Sequence, residues 1–252
     1  MPADEDDAAQ PGPTQPGPAH SGLTHSGPTH SGPTHSGLTR DALARAALRV
    51  LEREGLAGLS MRKVAAEVGV KAASLYWHVR NKEELLDLLN DALMADAEAP
   101  PRTGDWRTQL RGYCRRYRAH LLGKRDAAKV VAGRLAPGPH LLRLMEDQLD
   151  RLREAGFSPA DSAMISYLLG AYVQGFVLQE QSPMAAAETA GAGRREVADA
   201  AAEHFRALPA AEFPNLVAMA EDLTGPDLDA RFDFGVDRIL DGLAALLPPD
   251  RR

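Results

Sequence analysis

The chain of 252 residues is 44% hydrophobic and carries a net charge of −6, enough apolar material to bury the core of one or two domains. Alanine and leucine abound while aromatics and runs of β-branched residues are scarce, a balance that points to an all-α protein. A single cysteine, Cys114, excludes an internal disulfide and a multi-cysteine metal site. No apolar run reaches membrane-spanning length, and the start, MPADEDD, lacks the basic-then-apolar order of a secretory signal. The expected compartment is a reducing cytoplasm, without membrane contact. An even spread of negative charge would oppose nucleic acid, but the spread is uneven. Residues 40–82 hold nine Lys/Arg against four Asp/Glu, so this segment is +5 and the remainder −11. A basic module on an acidic body suits a protein that meets phosphates at one end.

In chain order, residues 1–38 read as a low-complexity arm of Pro, Gly, Ser and Thr, expected to be disordered. Consecutive HSGLT and HSGPT units place His20, His25, His30 and His35 five residues apart. Four imidazoles on a flexible chain fit a weak metal-binding or pH-sensing tail; they equally fit a slippage-generated repeat with no selected role. Order begins at Thr39, the cap of a helix from Arg40 to about Glu54 that buries Leu43, Ala46, Ala47, Val50 and Leu51 and ends at Gly55. Met61, Val64, Ala65 and Val68 recur at helical spacing up to Gly69. A helix of about two turns, Ala72 to Val79, follows, too short to stand alone. Leu75 and Val79 anchor it, which turns Ser74, Tyr76, Trp77 and His78 toward solvent, a surface that makes sense pressed against a sugar-phosphate backbone. Packing of Tyr76 and Trp77 on the next helix is the alternative. That next helix, capped by Asn81, is expected from Lys82 to about Ala97.

The Pro/Gly-rich run 97–105 marks a boundary, beyond which the periodicity is helical throughout. Helices are expected from the Asp105 cap to Leu122, over about Asp126–Arg134, from His140 to Ala155 and from Ser158 to Gln181. The last of these is apolar nearly all round and must be buried on several sides. Residues 182–195 read as a mobile loop, followed by helices near Glu196–Leu208, Ala210–Leu223 and Asp227–Leu247. The helices 158–181 and 227–247 carry more apolar surface than one small domain hides, as expected of half a bundle completed by a second subunit in a homodimer. Cys114 stands among arginines, which would lower its pKa; an inert buried thiol is the other reading.

The stretch RKVAAEVGVKAASLYWHVRNKEELLD, residues 62–87, resembles the TetR family of transcriptional repressors, and within it the tetracycline repressor branch; weaker similarity runs through AGF at 155–157 and the final helix. The resemblance implies an all-α homodimer whose subunit has a three-helix, helix-turn-helix DNA-binding domain, here 39–97 with its linking helix, and a larger ligand-binding and dimerisation domain, here 104–248. It implies that Arg62 reads a guanine, as a guanidinium can through O6 and N7, and that Ser60, Ser74, Tyr76, His78 and Lys82 hold the DNA backbone. Met61 and Trp77 join this contact set. Ala72 and Ala73 stand where the tetracycline repressor has a base-reading glutamine and proline; alanine can touch a thymine methyl but cannot hydrogen-bond, so a different operator is expected.

The positions that hold a magnesium–drug chelate in that branch are here Val131, Gln179, Glu98 and Tyr113. Valine cannot ligate a metal and Gln179 lacks a carboxylate, so neither a metal nor another cofactor is expected. Tyr113, Tyr117, Val131, Arg134, Met145 and Gln148 outline instead an apolar pocket for a small organic effector; Arg134 would bind an acidic group or simply be solvated, and ordinary core is the alternative for each. The function implied is a ligand-released repressor of double-stranded operator DNA, at the nucleoid, controlling an efflux or antibiotic-related gene. A ligand-independent DNA-binding regulator or architectural protein is the alternative. For an enzyme the chain offers no glycine-rich phosphate loop, metal triad or nucleophile with an adjacent base.

Overall fold

The computed structural model describes residues 38–134, 137–189, 193–225 and 227–249. The arm and its four histidines lie outside them, apart from Leu38. Among the described residues the secondary structure is helical throughout, as twelve helices and no strand. In order they are α1 (Arg40–Gly58), α2 (Met61–Glu67), α3 (Ala72–Leu75), α4 (Lys82–Leu93), α5 (Trp106–Leu122) and α6 (Ala127–Val131), then α7 (Pro139–Ala155), α8 (Pro159–Thr189), α9 (Arg194–Arg206), α10 (Pro214–Ala218), α11 (Ala220–Thr224) and α12 (Leu228–Ala244).

Thr39, Ser60, Asn81, Asp105 and Asp227 cap helices as their side chains accept a backbone N–H two or three residues into the first turn. Helical bonding in α1 extends past the expected end, to Gly58, but Gly55 breaks the helix with φ +72. That conformation is open to glycine, and a side chain here would also collide with Asp126 and Arg125. In the head formed by α1, α2, α3 and the start of α4, α3 is shorter than expected. The N–H groups of His78 and Val79 both fold onto the carbonyl of Leu75, at 2.8 and 2.9 Å, so the chain tightens and Trp77 and His78 sit on a turn. Similarly α4 stops at Leu93 and continues to Ala97 only as tightened turns, and α6 spans five residues, not nine.

The loop expected over 182–195 is wrong in its first half. Backbone helix persists to Thr189, since Ala, Met and Glu are strong helix formers; residues 190–192 lie outside the description. The single helix expected over 210–223 is two. Phe213 precedes Pro214, and a residue before proline is driven out of the helical region, here to φ −127, ψ 52; a second break falls at Met219.

Helix α1 packs on α4 and α2 on α3, while α5, α7 and α12 pack on α8, and α6 bridges α4 and α8. Leu75 and Val79 are fully buried, as are Leu85, Leu89 and Leu93 of α4. At about 1.5–3 kcal/mol per buried leucine, packing, not propensity, holds the four-residue α3 in place. An antiparallel ion-pair ladder ties α5 to α12: Arg107, Arg111, Arg115 and Arg118 meet Asp241, Asp237, Asp233 and Asp229. Arg118 is nearly buried, holds Glu180 with two bonds of 2.9 Å, and lies over the rings of Phe176 and Phe232.

Candidate DNA-reading face and ligand cavity

The segment 60–82 is built to hold an outward face rigid. Ser60 Oγ accepts the N–H of Lys63 and fixes the start of α2; Val64 and Ala65 then face the core and Arg62 faces solvent. Gly69, at φ +72, reverses the chain, and Val70 donates its N–H back to Ala65 at 3.0 Å. Trp77 is 90% exposed and Tyr76 55%, so packing on α4 does not account for Trp77. Ala73 is exposed, Ala72 and Ser74 are half-buried, and His78 is half-buried with its carbonyl accepting from Arg40 at 2.8 Å. Met61 is partly buried against the core.

The nine cations of the segment divide into two groups. Arg49 and Arg53 share Glu67, Lys63 pairs with Glu54, and Arg40 and Arg80 share Glu84. Arg45, Arg62, Lys71 and Lys82 have no hydrogen bond or ion pair among the described residues. Three of these stand at helix starts: Arg62 in the first turn of α2, Lys71 at the cap of α3, Lys82 as the first residue of α4. Helix N-termini bearing free cations attract phosphate. Lys71, the cap residue of α3, was not among the expected contacts.

All six residues expected to outline a pocket do line one cavity of about 530 Å³, walled by α4, α5, α6, α7 and α8. Its walls are mainly apolar, with Met94, Leu141, Leu144, Leu169 and Val173 among them, a size and character suited to a drug-sized organic molecule. Most of its polar groups are already engaged. Tyr113 donates to the Leu144 carbonyl at 3.0 Å, Gln174 donates to Tyr117 at 3.1 Å, and Ser166 donates to Gln148 at 2.6 Å. Arg134 is not available to an acidic ligand as expected, because it pairs with Glu83 and Asp87 of α4 and its side chain is 13% exposed. Cys114 is buried, and burial pushes its thiol up to about 12; the reactive-thiol reading falls, because desolvation disfavours the thiolate and, of the neighbouring arginines of α5, Arg111, Arg115 and Arg118 are spent on the ladder to α12 and Arg116 lies nearest Glu98.

Comparison with known proteins decides the family. The model described as "Bacterial regulatory proteins, tetR family" matches residues 43–89, and that described as "Tetracyclin repressor-like, C-terminal domain" matches 98–247. The chain belongs to the TetR family. It is 37% identical over 201 residues to the tetracycline repressor protein class A from transposon 1721 of Escherichia coli, covering 79% of this chain and 87% of that one. It is 34% identical over 214 residues to the HTH-type transcriptional repressor DrrR1 of Streptomyces coeruleorubidus, covering 81% and 77%. Among solved structures, the Streptomyces coelicolor TetR family protein ActR in complex with actinorhodin superposes with a TM-score of 0.75 at 35% identity, over 85% of this chain and 99% of that one.

Of the four positions that the resemblance sets against the magnesium–drug site, two reach the cavity of this TetR-family chain. Val131 and Tyr113 line the cavity; Gln179 and Glu98 are exposed and do not. Among the described residues no group of three or more His, Cys, Asp or Glu is placed to hold a metal ion, and no helix is long and apolar enough to cross a membrane. Several bonds fasten head to body. Asp126 Oδ2 accepts the N–H of Leu56 at 2.8 Å, Arg125 donates to the carbonyls of Glu52 and Arg53, and Asp91 of α4 caps α7 by accepting from His140 and Leu141. Helix α4 therefore begins beside the outward face and ends in the cavity wall.

Proposed function

We propose that the chain is a ligand-responsive transcriptional repressor that binds double-stranded operator DNA through residues 39–97 and an organic effector through residues 104–248. Arg62 reads a base; Ser60, Met61, Ala72, Ala73, Ser74, Tyr76, Trp77, His78 and Lys82 complete the contact surface, with Lys71 added to the set. The observation that carries the reading is the path of α4, which holds Lys82 at the outward face and Asn90 and Met94 in the cavity wall. A ligand in the cavity can therefore act on the helix that sets the reader.

The working unit is a homodimer. On α8 Met164, Tyr167 and Leu168 are exposed, as are Phe234 on α12 and Leu246 just beyond its end, 44–77% by fraction. A second copy covering these two helices removes that apolar surface from water and sets two reader helices about one DNA turn apart, roughly 34–36 Å. Effector binding shifts the population toward a spacing that no longer fits, with coupling of about 1–3 kcal/mol. The similarity to ActR, seen with actinorhodin, supports an effector of antibiotic type and an efflux or antibiotic-related target gene, with action in the cytoplasm at the nucleoid. A gel shift on the DNA flanking the protein's own gene tests this. A retarded band that added aromatic natural products release is expected; no band at low salt contradicts it.

A further inference from the structure

Glu84 puts a negative charge where the surrounding surface prepares for phosphate. It lies in the first turn of α4, two residues after Lys82 and three after the cap Asn81. An acid there favours the helix, and in a capping box it would accept the N–H of the cap residue itself. Here it reaches one residue further back. Its Oε2 accepts both the backbone N–H of Arg80 at 2.8 Å and the side-chain Nε–H at 3.3 Å, and its Oε1 accepts from Arg40 at 3.3 Å. Arg40 also donates to the His78 carbonyl at 2.8 Å. One carboxylate thus joins the first residue of α1, the turn that carries Trp77 and His78, and the first turn of α4. Hydrogen bonding by the Arg80 N–H holds the Glu84 carboxyl below the usual carboxylate range, so the charge is present at neutral pH.

The backbone part of this arrangement needs only an acceptor, which a glutamine would supply. The ion pairs add little stability, because the side chains of Arg80 and Arg40 are 88% and 53% exposed. Their consequence is electrostatic. Free, the two arginines would stand beside His78 and Lys82 as further phosphate ligands; on Glu84 the group sums to +1 instead of +2. Phosphate neutralisation strengthens binding to every DNA sequence alike. We propose that Glu84 is a specificity-determining residue of the DNA-reading face, which withholds Arg40 and Arg80 from phosphate and so widens the gap between operator and other DNA. This rests on the reading that the face binds DNA. Glu84 is a positioning residue, acting through the two arginines. Its effect is unequal on the two kinds of DNA. In the operator complex Arg40 is needed on the His78 carbonyl, where it fixes the turn of the reader; a loosely oriented protein on other DNA makes no such demand and takes up any cation set free.

The test follows fluorescence anisotropy of the full chain on two labelled duplexes of one length, an operator selected from random DNA and a scrambled sequence, across roughly 50–200 mM salt. Glu84→Gln keeps an acceptor for the Arg80 N–H but loses the charge. It is expected to steepen the slope of log affinity against log salt by about 1–2 on the scrambled duplex, and to bind that duplex about tenfold more tightly at the lowest salt. Operator affinity is expected to move by less than about threefold, so the ratio between the two duplexes falls. Arg80→Ala is expected to leave the wild-type slope unchanged and to lower that of Glu84→Gln by about 1, the coupling read from a double-mutant cycle. A slope that Glu84→Gln leaves unchanged or makes shallower, or a ratio equal to that of wild type, overturns the proposal. So does a wild-type slope that Arg80→Ala already lowers by about 1, a comparison that decides even where Glu84→Gln fails to fold. A wild type that binds neither duplex at the lowest salt overturns the DNA-binding reading, and the proposal with it.

Discussion

On the face built from α2, α3 and the start of α4, Arg62, Lys71 and Lys82 stand in solvent without an ion pair among the described residues, beside a tryptophan that is 90% exposed. In the cavity, a few residues further along α4, tyrosine, glutamine, serine and arginine side chains are bonded to other parts of the same chain. The two regions prepare for opposite partners. A polyanion brings fixed charge that free Lys and Arg can neutralise while releasing counterions. An organic ligand brings apolar surface, and polar groups left open in the wall would have to be desolvated for nothing. What differs between the regions is not how many polar residues each has but how many are already spent. The acidic residues of the head, Glu54, Glu67 and Glu84, do the sorting by taking up Lys63, Arg49, Arg53, Arg40 and Arg80.

The comparison breaks most visibly if the outward face loses its anchor. Leu75→Ala removes the only fully buried side chain of α3 and is expected to cost about 2–5 kcal/mol in urea unfolding, with loss of DNA binding. Ligand-probe binding that vanishes alongside would mean that head and cavity unfold as one.

A second effect separates cavity from face by pH. Burial pushes the Cys114 thiol and the Tyr117 hydroxyl each up to about 12, whereas in the unfolded chain they ionise near roughly 8.5 and 10. Between those values the unfolded chain binds fewer protons, so the contribution of these groups is intact below about pH 8.5 and declines as pH rises toward 12. On the acid side, hydrogen bonding by Arg115 lowers Asp233 and by Arg49 lowers Glu67. Their contribution is present above about pH 4 and lost as pH falls further. Thermal melts of wild type and Cys114→Val across both ranges check this; the variant should lose part of the alkaline decline and none of the acid one.

The smallest expected effect sharpens the distinction between spent and free cations. Lys71→Ala and Lys82→Ala should each lower the slope of log affinity against log salt by about 1 and weaken binding evenly across DNA sequences. Arg49→Ala, already held by Glu67, should leave the slope unchanged.

Much of this was legible in the residues. The caps at Thr39, Asn81 and Asp105 and the stop at Gly69 follow from local chemistry, and the exposure of Tyr76 and Trp77 follows from placing Leu75 and Val79 inward. The six cavity residues came from resemblance, and they meet in space because α5, α6 and α7 each turn an apolar stripe to α8. Three features escaped the reading. The division of cations depends on which carboxylate lies within reach across helices, which spacing along the chain does not disclose. The capture of Arg134 by Asp87 is a contact 47 residues apart in sequence. Asn90 read as one polar position in a leucine-rich helix until its burial was known. The ladder from α5 to α12 was readable in hindsight, since arginines at 107, 111 and 115 and aspartates at 233, 237 and 241 keep matching four-residue steps.

The central claim is that the outward face reads sequence through Arg62 while its other cations supply only attraction. Fluorescence anisotropy on an operator selected from random DNA, and on the same duplex with each base pair changed in turn, tests it for wild type and Arg62→Ala. The account predicts that the variant binds the operator about 1–3 kcal/mol more weakly and no longer discriminates at one base-pair position per half-site, with non-specific binding retained. An Arg62→Ala protein that binds the operator as tightly as wild type, with the same discrimination at every position, would contradict it.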